Sequence, residues 1–441
     1  MAGLYDVAKE LNAGIIGGGY AGLAAAVKLA ECGIPVTLFE SAKQLGGRAR
    51  GVLYNQTQLD NGQHILLGCY RHTLQLIEQV GGNIGHDFLR LPLQLTLNNC
   101  FELKAPALPA PLHLLAGLLS AKGLSFTQRI SAARFMLAMR RINFSLQQDT
   151  TALKLLHKYG QDDQLVRLLW EPVCISALNT PVCKASAQIL LNVLRDSLNG
   201  SRSDSDMLLP RVDFSALFPD RADKYITQHG GRVITSCGVD QITPIGNEIE
   251  LLTSRGTQRL SHVICAASPA NSSRLFGTVP ELSNISAQIE ALNFQPIYTV
   301  YLQYPESIQL PHAMLGFDQC FTQWLFDKGR ISGQHGLIAA VISAEGLHQE
   351  WEHAELAQEV VRELREELGV TAAPLWHQVI AEKRATFSCE PDLLRPSHTT
   401  TLPNLFLAGD YTAGDYPATL EGAVMSGIRC AQSVLNSGSN I

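Results

Sequence analysis

Apolar and polar positions alternate along this chain with two different periods. Short apolar runs bounded by glycine turns predict strands, and longer runs with apolar positions three and four apart predict helices. Residues 14–16 are the first strand, and they run into Gly17-Gly18-Gly19-Tyr20-Ala21-Gly22. LAAAVKLAEC follows as a helix closed by Gly33 and stopped by Pro35, and VTLF makes a second strand ending at Glu40. Residues 221–267 read as a helix, a Gly-Gly turn and the strands RVITSC, VDQITPI, EIELLTS and HVICAAS. Near the C-terminus LFLAG is a strand, and a long helix begins near Leu420.

The stretches between differ in kind. LHLLAGLLS, AARFMLAMRRI and LVRLLWEPVCISALN have helical spacing, whereas IYTVYLQY, GLIAAVISA and HQVIAEKRATFSC read as strands beside the amphipathic helix HAELAQEVVRELREEL. The pattern predicts an α/β chain in two interleaved parts. Residues 1–99, 201–284 and 396–441 form a nucleotide-type domain, and 100–200 with 285–395 form an α+β substrate domain. No internal repeat is visible.

The first unit has the full context of a dinucleotide fingerprint: strand, GxGxxG, helix, strand, acid. Gly17 permits the tight turn, Gly19 lets the backbone approach a pyrophosphate, and Gly22 lets helix and strand pack closely. The N–H groups opening the helix at Tyr20 and Ala21 favour phosphate. Glu40, with Ser41 beside it, is placed to accept hydrogen bonds from the ribose hydroxyls of an adenosine. The fold this predicts is Rossmann-like, and the fingerprint alone leaves NAD and FAD open.

Gly46-Gly47-Arg48 follows shortly after Glu40. The combination of fingerprint, acid and GG[RK] doublet resembles the FAD-binding signature of the amine oxidase and phytoene desaturase superfamily. That resemblance implies a discontinuous FAD domain with Gly47 and Arg48 near the cofactor phosphates or flavin. It also implies Val239 against the adenine, and a second signature at Gly409-Asp410, where the acid meets the ribityl or pyrophosphate region. The helix start at Thr419, Leu420, Glu421, Gly422 and Ala423 would then aim its dipole at the flavin, where the reduced ring accumulates negative charge. DNGQHILLGCY lies behind the first unit, and Gly62, Gln63 and His64 become candidate walls of the flavin pocket.

Composition narrows the partners. The net charge of −6 offers no basic excess for nucleic acid. Ten cysteines show neither CxxC nor His/Cys spacing, so no metal site and no disulfide framework is expected. MAGLYDVAKELN lacks the apolar core of a secretory leader, which points to a cytoplasmic protein. APALPAPLHLLAGLLSA, residues 105–121, is too short and proline-broken to span a bilayer. Lys122, Arg129, Arg134, Arg140 and Arg141 follow it, so it reads either as a buried helix or as an apolar patch resting on the inner membrane.

With the flavin signatures, the stretches DNGQHILLGCY, WEPVCISALNT and GDYTAGDYPATLEGAVMSG resemble the squalene-associated flavoprotein family, relatives of the phytoene desaturases. The family includes dehydroxylases of hydroxysqualene in hopanoid biosynthesis. The resemblance spans the chain and implies FAD, a C30 isoprenoid substrate (hydroxysqualene or squalene) and an electron donor that the residues do not name. Hydroxysqualene is an allylic alcohol, so its hydroxyl can leave as water once protonated, and a hydride from reduced flavin can quench the cation. The candidate acids are His64, Glu421, Asp415 and Asp60, with His64 first because imidazole titrates near neutral pH. Oxidative desaturation of squalene or a carotenoid is the nearest alternative. An amine oxidase is disfavoured by Thr419, where those enzymes commonly carry a tyrosine. A prenyl-lipid carrier without catalysis would not need both flavin signatures.

Overall fold

The computed structural model describes residues 11–198 and 200–438. Most of the N-terminal stretch read above for a leader lies outside the described residues. Five short strands, β1 (Ala13–Ile16), β2 (Val36–Phe39), β3 (Arg232–Ile234), β4 (His262–Cys265) and β5 (Leu405–Leu407), form one parallel sheet in the order 3-2-1-4-5. β1, β2, β4 and β5 are buried throughout, which is why they read as continuous apolar runs rather than alternating ones. This sheet draws on three distant parts of the chain, 13–39, 232–265 and 405–407.

The helix α1 (Tyr20–Glu31) is buried along most of its length, and Gly33 beyond its end takes the left-handed φ of +74°. The C-terminal helix α3 (Leu420–Gly438) lies beside it, and the helix α2 (Arg71–Gln79) packs in turn against α3. α3 comes so near α1 that a Cβ on Gly427 would sit 2.1 Å from Ala21 O.

The second layer is a mixed seven-stranded sheet. Its order is Trp376–Phe387, Phe294–Gln303, Leu337–Ser343, Trp324–Asp327, Met314–Gly316, Gln94–Leu97, Phe101–Lys104. The segment boundary drawn at 99/100 from the sequence runs through the hairpin 94–104, and both of its strands belong to this sheet. The helix His353–Leu368 covers one face, with Leu356, Ala357, Val360 and Leu364 buried against it. The other side shares one large apolar cluster with the helices between 112 and 198, where Trp170, Cys174 and Leu178 are packed. The stretch Trp170–Thr180 thus contributes core as well as whatever it offers a ligand. Just before it the chain loosens into one π-helical turn, Val166–Trp170.

The apolar segment 105–121 contains only a nine-residue helix, Leu112–Ser120, followed by Phe126–Arg141. No helix among the described residues is long and apolar enough to cross a membrane.

Candidate active site

Segments from both ends of the chain and its middle meet at the carboxyl ends of the central strands. At Gly22 a Cβ would fall 2.0 Å from Gly17 O, so the chain's own packing demands glycine. At Gly19 a Cβ would meet no protein atom within 4 Å, and packing does not explain the residue. That open space lies before the first turn of α1, whose N-terminus carries no side-chain cap. Free N–H groups facing open space fit the phosphates of a dinucleotide. The Gly46-Gly47 turn closes against this loop, with Gly46 N–H donating to Gly18 O at 2.8 Å.

Glu40 Oε2 accepts the Gly18 N–H at 2.6 Å, and Oε1 accepts from Ala42 N at 2.7 Å and Ser41 Oγ at 3.2 Å. These bonds fix the carboxylate across the glycine turn. Cys237 N–H donates to Glu40 O at 2.8 Å, which brings the buried Val239 to the same end of the sheet.

β5 leads into Gly409, whose N–H donates to Ser426 Oγ at 2.8 Å, and into Asp410, which is 8% exposed. Asp410 Oδ1 lies 2.6 Å from Arg48 Nη2, and Arg48 Nη1 donates to Ala385 O. One arginine therefore ties the glycine doublet, the C-terminal signature and the end of the longest strand together. Thr419 Oγ1 accepts the Gly422 N–H at 3.1 Å, so the threonine caps α3 and orients its N-terminus.

The four candidate acids do not fare alike. Glu421 is 1% exposed and fully engaged: Oε1 accepts from His72 N at 3.0 Å and pairs with His72 Nδ1 at 2.9 Å. Its Oε2 accepts from Thr73 N at 2.9 Å and Thr73 Oγ1 at 2.7 Å. The carboxylate caps α2 and has no capacity left for a substrate, which corrects its place among the acids. Asp415 is exposed on the loop before α3, and it is its backbone O that accepts from Asn192 Nδ2, at 3.0 Å.

His64 has its Nδ1 3.1 Å from Gly62 O, and its ring packs 4.8 Å from Phe214. Burial pushes the imidazole down to about 4. The reason for ranking it first, titration near neutrality, therefore fails: the half-buried ring is neutral at pH 7. Asp60 moves the other way. It is 4% exposed, and burial pushes its carboxyl up to about 6, against the opposing pull of Lys328 and the Phe214 N–H. Its Oδ1 accepts that N–H at 2.8 Å, and its backbone O accepts from Tyr301 Oη at 3.0 Å.

The sequence pattern of the family described as flavin containing amine oxidoreductase matches residues 20–435. The chain belongs to that family. Among curated relatives, the hydroxysqualene dehydroxylase of Rhodopseudomonas palustris is 28% identical over 96% of this chain and 98% of its own length. The zeta-carotene desaturase of Zea mays is 24% identical over 98% of this chain and 85% of its own. Of solved structures, an oxidoreductase from Methanosarcina mazei superposes with a TM-score of 0.76 at 15% identity, covering 96% of this chain and 100% of that one. Cyclohexylamine oxidase from Brevibacterium oxydans gives 0.71 at 17%, covering 97% and 99%. At these identities the structures establish the fold.

As a member of the flavin containing amine oxidoreductases the chain is an FAD-dependent oxidoreductase, and its cradle of glycine turns, Glu40, Asp410 and the α3 N-terminus fits that cofactor. Sequence reasoning missed several residues here. Thr299 Oγ1 accepts the Gln63 N–H at 3.3 Å, and Asp213 and Lys328 sit with Asp60. The signal for Lys328 was a lone cation directly after an apolar strand, WLFDK, where solvent is scarce.

Proposed function

We propose that this chain removes the hydroxyl of hydroxysqualene to give squalene, a step of hopanoid biosynthesis. The observation that carries the reading is similarity along almost the whole length to hydroxysqualene dehydroxylases, with both flavin-binding segments kept. When bound and reduced, FAD supplies the hydride. The chain holds the cofactor between the Gly17–Gly22 turn and the Asp410–Ala423 segment, and it keeps a protonatable carboxyl, Asp60, beneath the Gly62–His64 wall. The neutral His64 shapes that wall. Balance requires one proton and one hydride per turnover, so an electron donor must re-reduce the flavin each cycle.

Squalene and its precursor reside in lipid, and the chain has a surface that suits a cytoplasmic membrane face. Leu108, Leu112, Leu119, Phe126, Leu137 and Ile142 are exposed, more than half of the exposed large apolar side chains among the described residues. Phe126 and Leu137 stand about three turns apart on one face of their helix, whose charged residues are all arginines. An apolar stripe among cations favours anionic headgroups.

Oxidative desaturation is the second reading, supported by the similarity to zeta-carotene desaturases. The deciding experiment is product analysis with purified, FAD-reconstituted protein. Hydroxysqualene with reduced flavin should yield squalene. Hydroxysqualene left intact, while squalene with oxidised flavin gains double bonds, would reverse the assignment.

A further inference from the structure

Lys328 is the only buried lysine or arginine among the described residues, at 5% exposure. It follows the last residue of the strand Trp324–Asp327, and its side chain runs from the seven-stranded sheet toward the turn after Asp60. There Nζ comes 3.5 Å from Gln63 Oε1, and no carboxylate oxygen among the described residues lies within 4.0 Å of it. An ammonium kept for structure alone would normally hold a carboxylate directly, since burying an unpaired charge is costly. Burial pulls this ammonium down from the ordinary lysine value, and two acids held at longer range, Asp60 and Asp213, pull the other way.

The surroundings are a closed set of groups. Asp213 spends Oδ1 on the N–H groups of Ser215 and Ala216, at 3.0 and 3.2 Å. The Tyr20 hydroxyl, from the nucleotide turn, is buried without a hydrogen-bond partner, and both acids act on it. Tyr301 holds the backbone of Asp60, and Gln63 reaches back to His64 O with Nε2 at 3.1 Å. Lys328, Asp213, Tyr20, Tyr301 and His64 are thus the titratable groups around Asp60, and Lys328 is the one lysine or arginine among them.

We propose that Lys328 is a positioning residue: it holds the Asp60–His64 turn against the flavin site and, by its charge, sets the pH at which Asp60 loses its proton. This rests on the reading of that turn as the flavin wall and of the reaction as one that consumes a proton. A nearby cation favours the carboxylate, so it lowers the pH of proton loss. Removing it leaves Asp60 facing Asp213 alone, and proton loss moves upward.

The test uses the holoprotein and the variants Lys328→Met, Lys328→Gln and Lys328→Arg. The infrared band of the protonated Asp60 carboxyl, assigned by its loss in Asp60→Asn, is followed against pH without turnover. Lys328→Met and Lys328→Gln should both raise its midpoint by about one pH unit or more. The alkaline limb of kcat/KM should move the same way, and Lys328→Arg should restore both. Lys328→Gln keeps a polar group for Gln63, so it reports on charge even where Lys328→Met loses flavin. A midpoint unmoved in Lys328→Gln, or moved equally in Lys328→Arg, would overturn the inference. A wild-type protein that leaves hydroxysqualene untouched while the band still shifts would overturn the proposed reaction and leave the electrostatic pairing standing.

Discussion

Arg48 and Asp410, 362 positions apart in the chain, meet through Nη2 and Oδ1 at 2.6 Å. The pair ties the glycine doublet of the first signature to the acid of the second. It also explains why β5 must return to β4: without that pairing Asp410 would not reach Arg48.

Breaking the pair should cost cofactor rather than fold. Charge-assisted hydrogen bonds contribute about 1.5–3 kcal/mol, so Asp410→Asn should weaken FAD binding by about tenfold or more. Titration of apoprotein with FAD, read by flavin fluorescence, measures this, and circular dichroism of the apoprotein should be unchanged. Wild-type affinity in the variant would mean that the pair serves packing alone.

Glu421 makes the opposite prediction. Its four hydrogen bonds cap α2, so Glu421→Gln should destabilise the protein by about 1–3 kcal/mol, seen in urea unfolding, while purified holoprotein keeps its turnover. A pH signature should accompany it. The hydrogen bond to Glu421 raises His72 above its ordinary value. Its contribution to stability is therefore complete below about pH 6.5 and is lost as pH rises through the folded value. Tm should fall over that window in the wild type, and this fall should vanish in Glu421→Gln.

Most of the nucleotide half was legible in the sequence because local chemistry dictates it. Gly17, Gly22 and Glu40 lie within 24 residues of one another, where a Cβ on Gly22 would meet Gly17 O and Glu40 accepts the Gly18 N–H. The acids were not legible, because burial decides their protonation and burial is a property of the assembled sheets. His64 and Asp60 stand four positions apart, and the same enclosure drives one down to about 4 and the other up to about 6. The capping role of Glu421 was not legible for a related reason: its partners, His72 and Thr73, lie more than 340 positions away. The hairpin 94–104 joined a sheet whose other strands come two hundred residues later, and no local pattern announces that.

The exposed stripe on the helix Phe126–Arg141 predicts lipid binding that can be separated from chemistry. Phe126→Glu with Leu119→Glu should abolish co-sedimentation with vesicles containing anionic phospholipid and leave turnover of detergent-dispersed hydroxysqualene intact. High salt should weaken the wild-type interaction, because the arginines act through screened charge. Equal co-sedimentation of variant and wild type would remove the membrane from the account.

His64 and Asp60 can be told apart by the shape of the pH profile. Suppose Asp60 holds the proton: turnover then needs its acid form, and kcat/KM should decline above about pH 6 in the wild type. His64→Gln removes a ring that is already neutral across that range, so the decline should stay at the same pH even where the absolute rate falls. Asp60→Asn removes the titrating group, and its residual activity should lose the limb altogether. Were His64 the donor instead, the limb would lie near pH 4 and would disappear in His64→Gln. A profile measured between about pH 4 and 9 on the three proteins distinguishes these cases. FAD content, checked by absorbance at each pH, separates a lost proton donor from a lost cofactor.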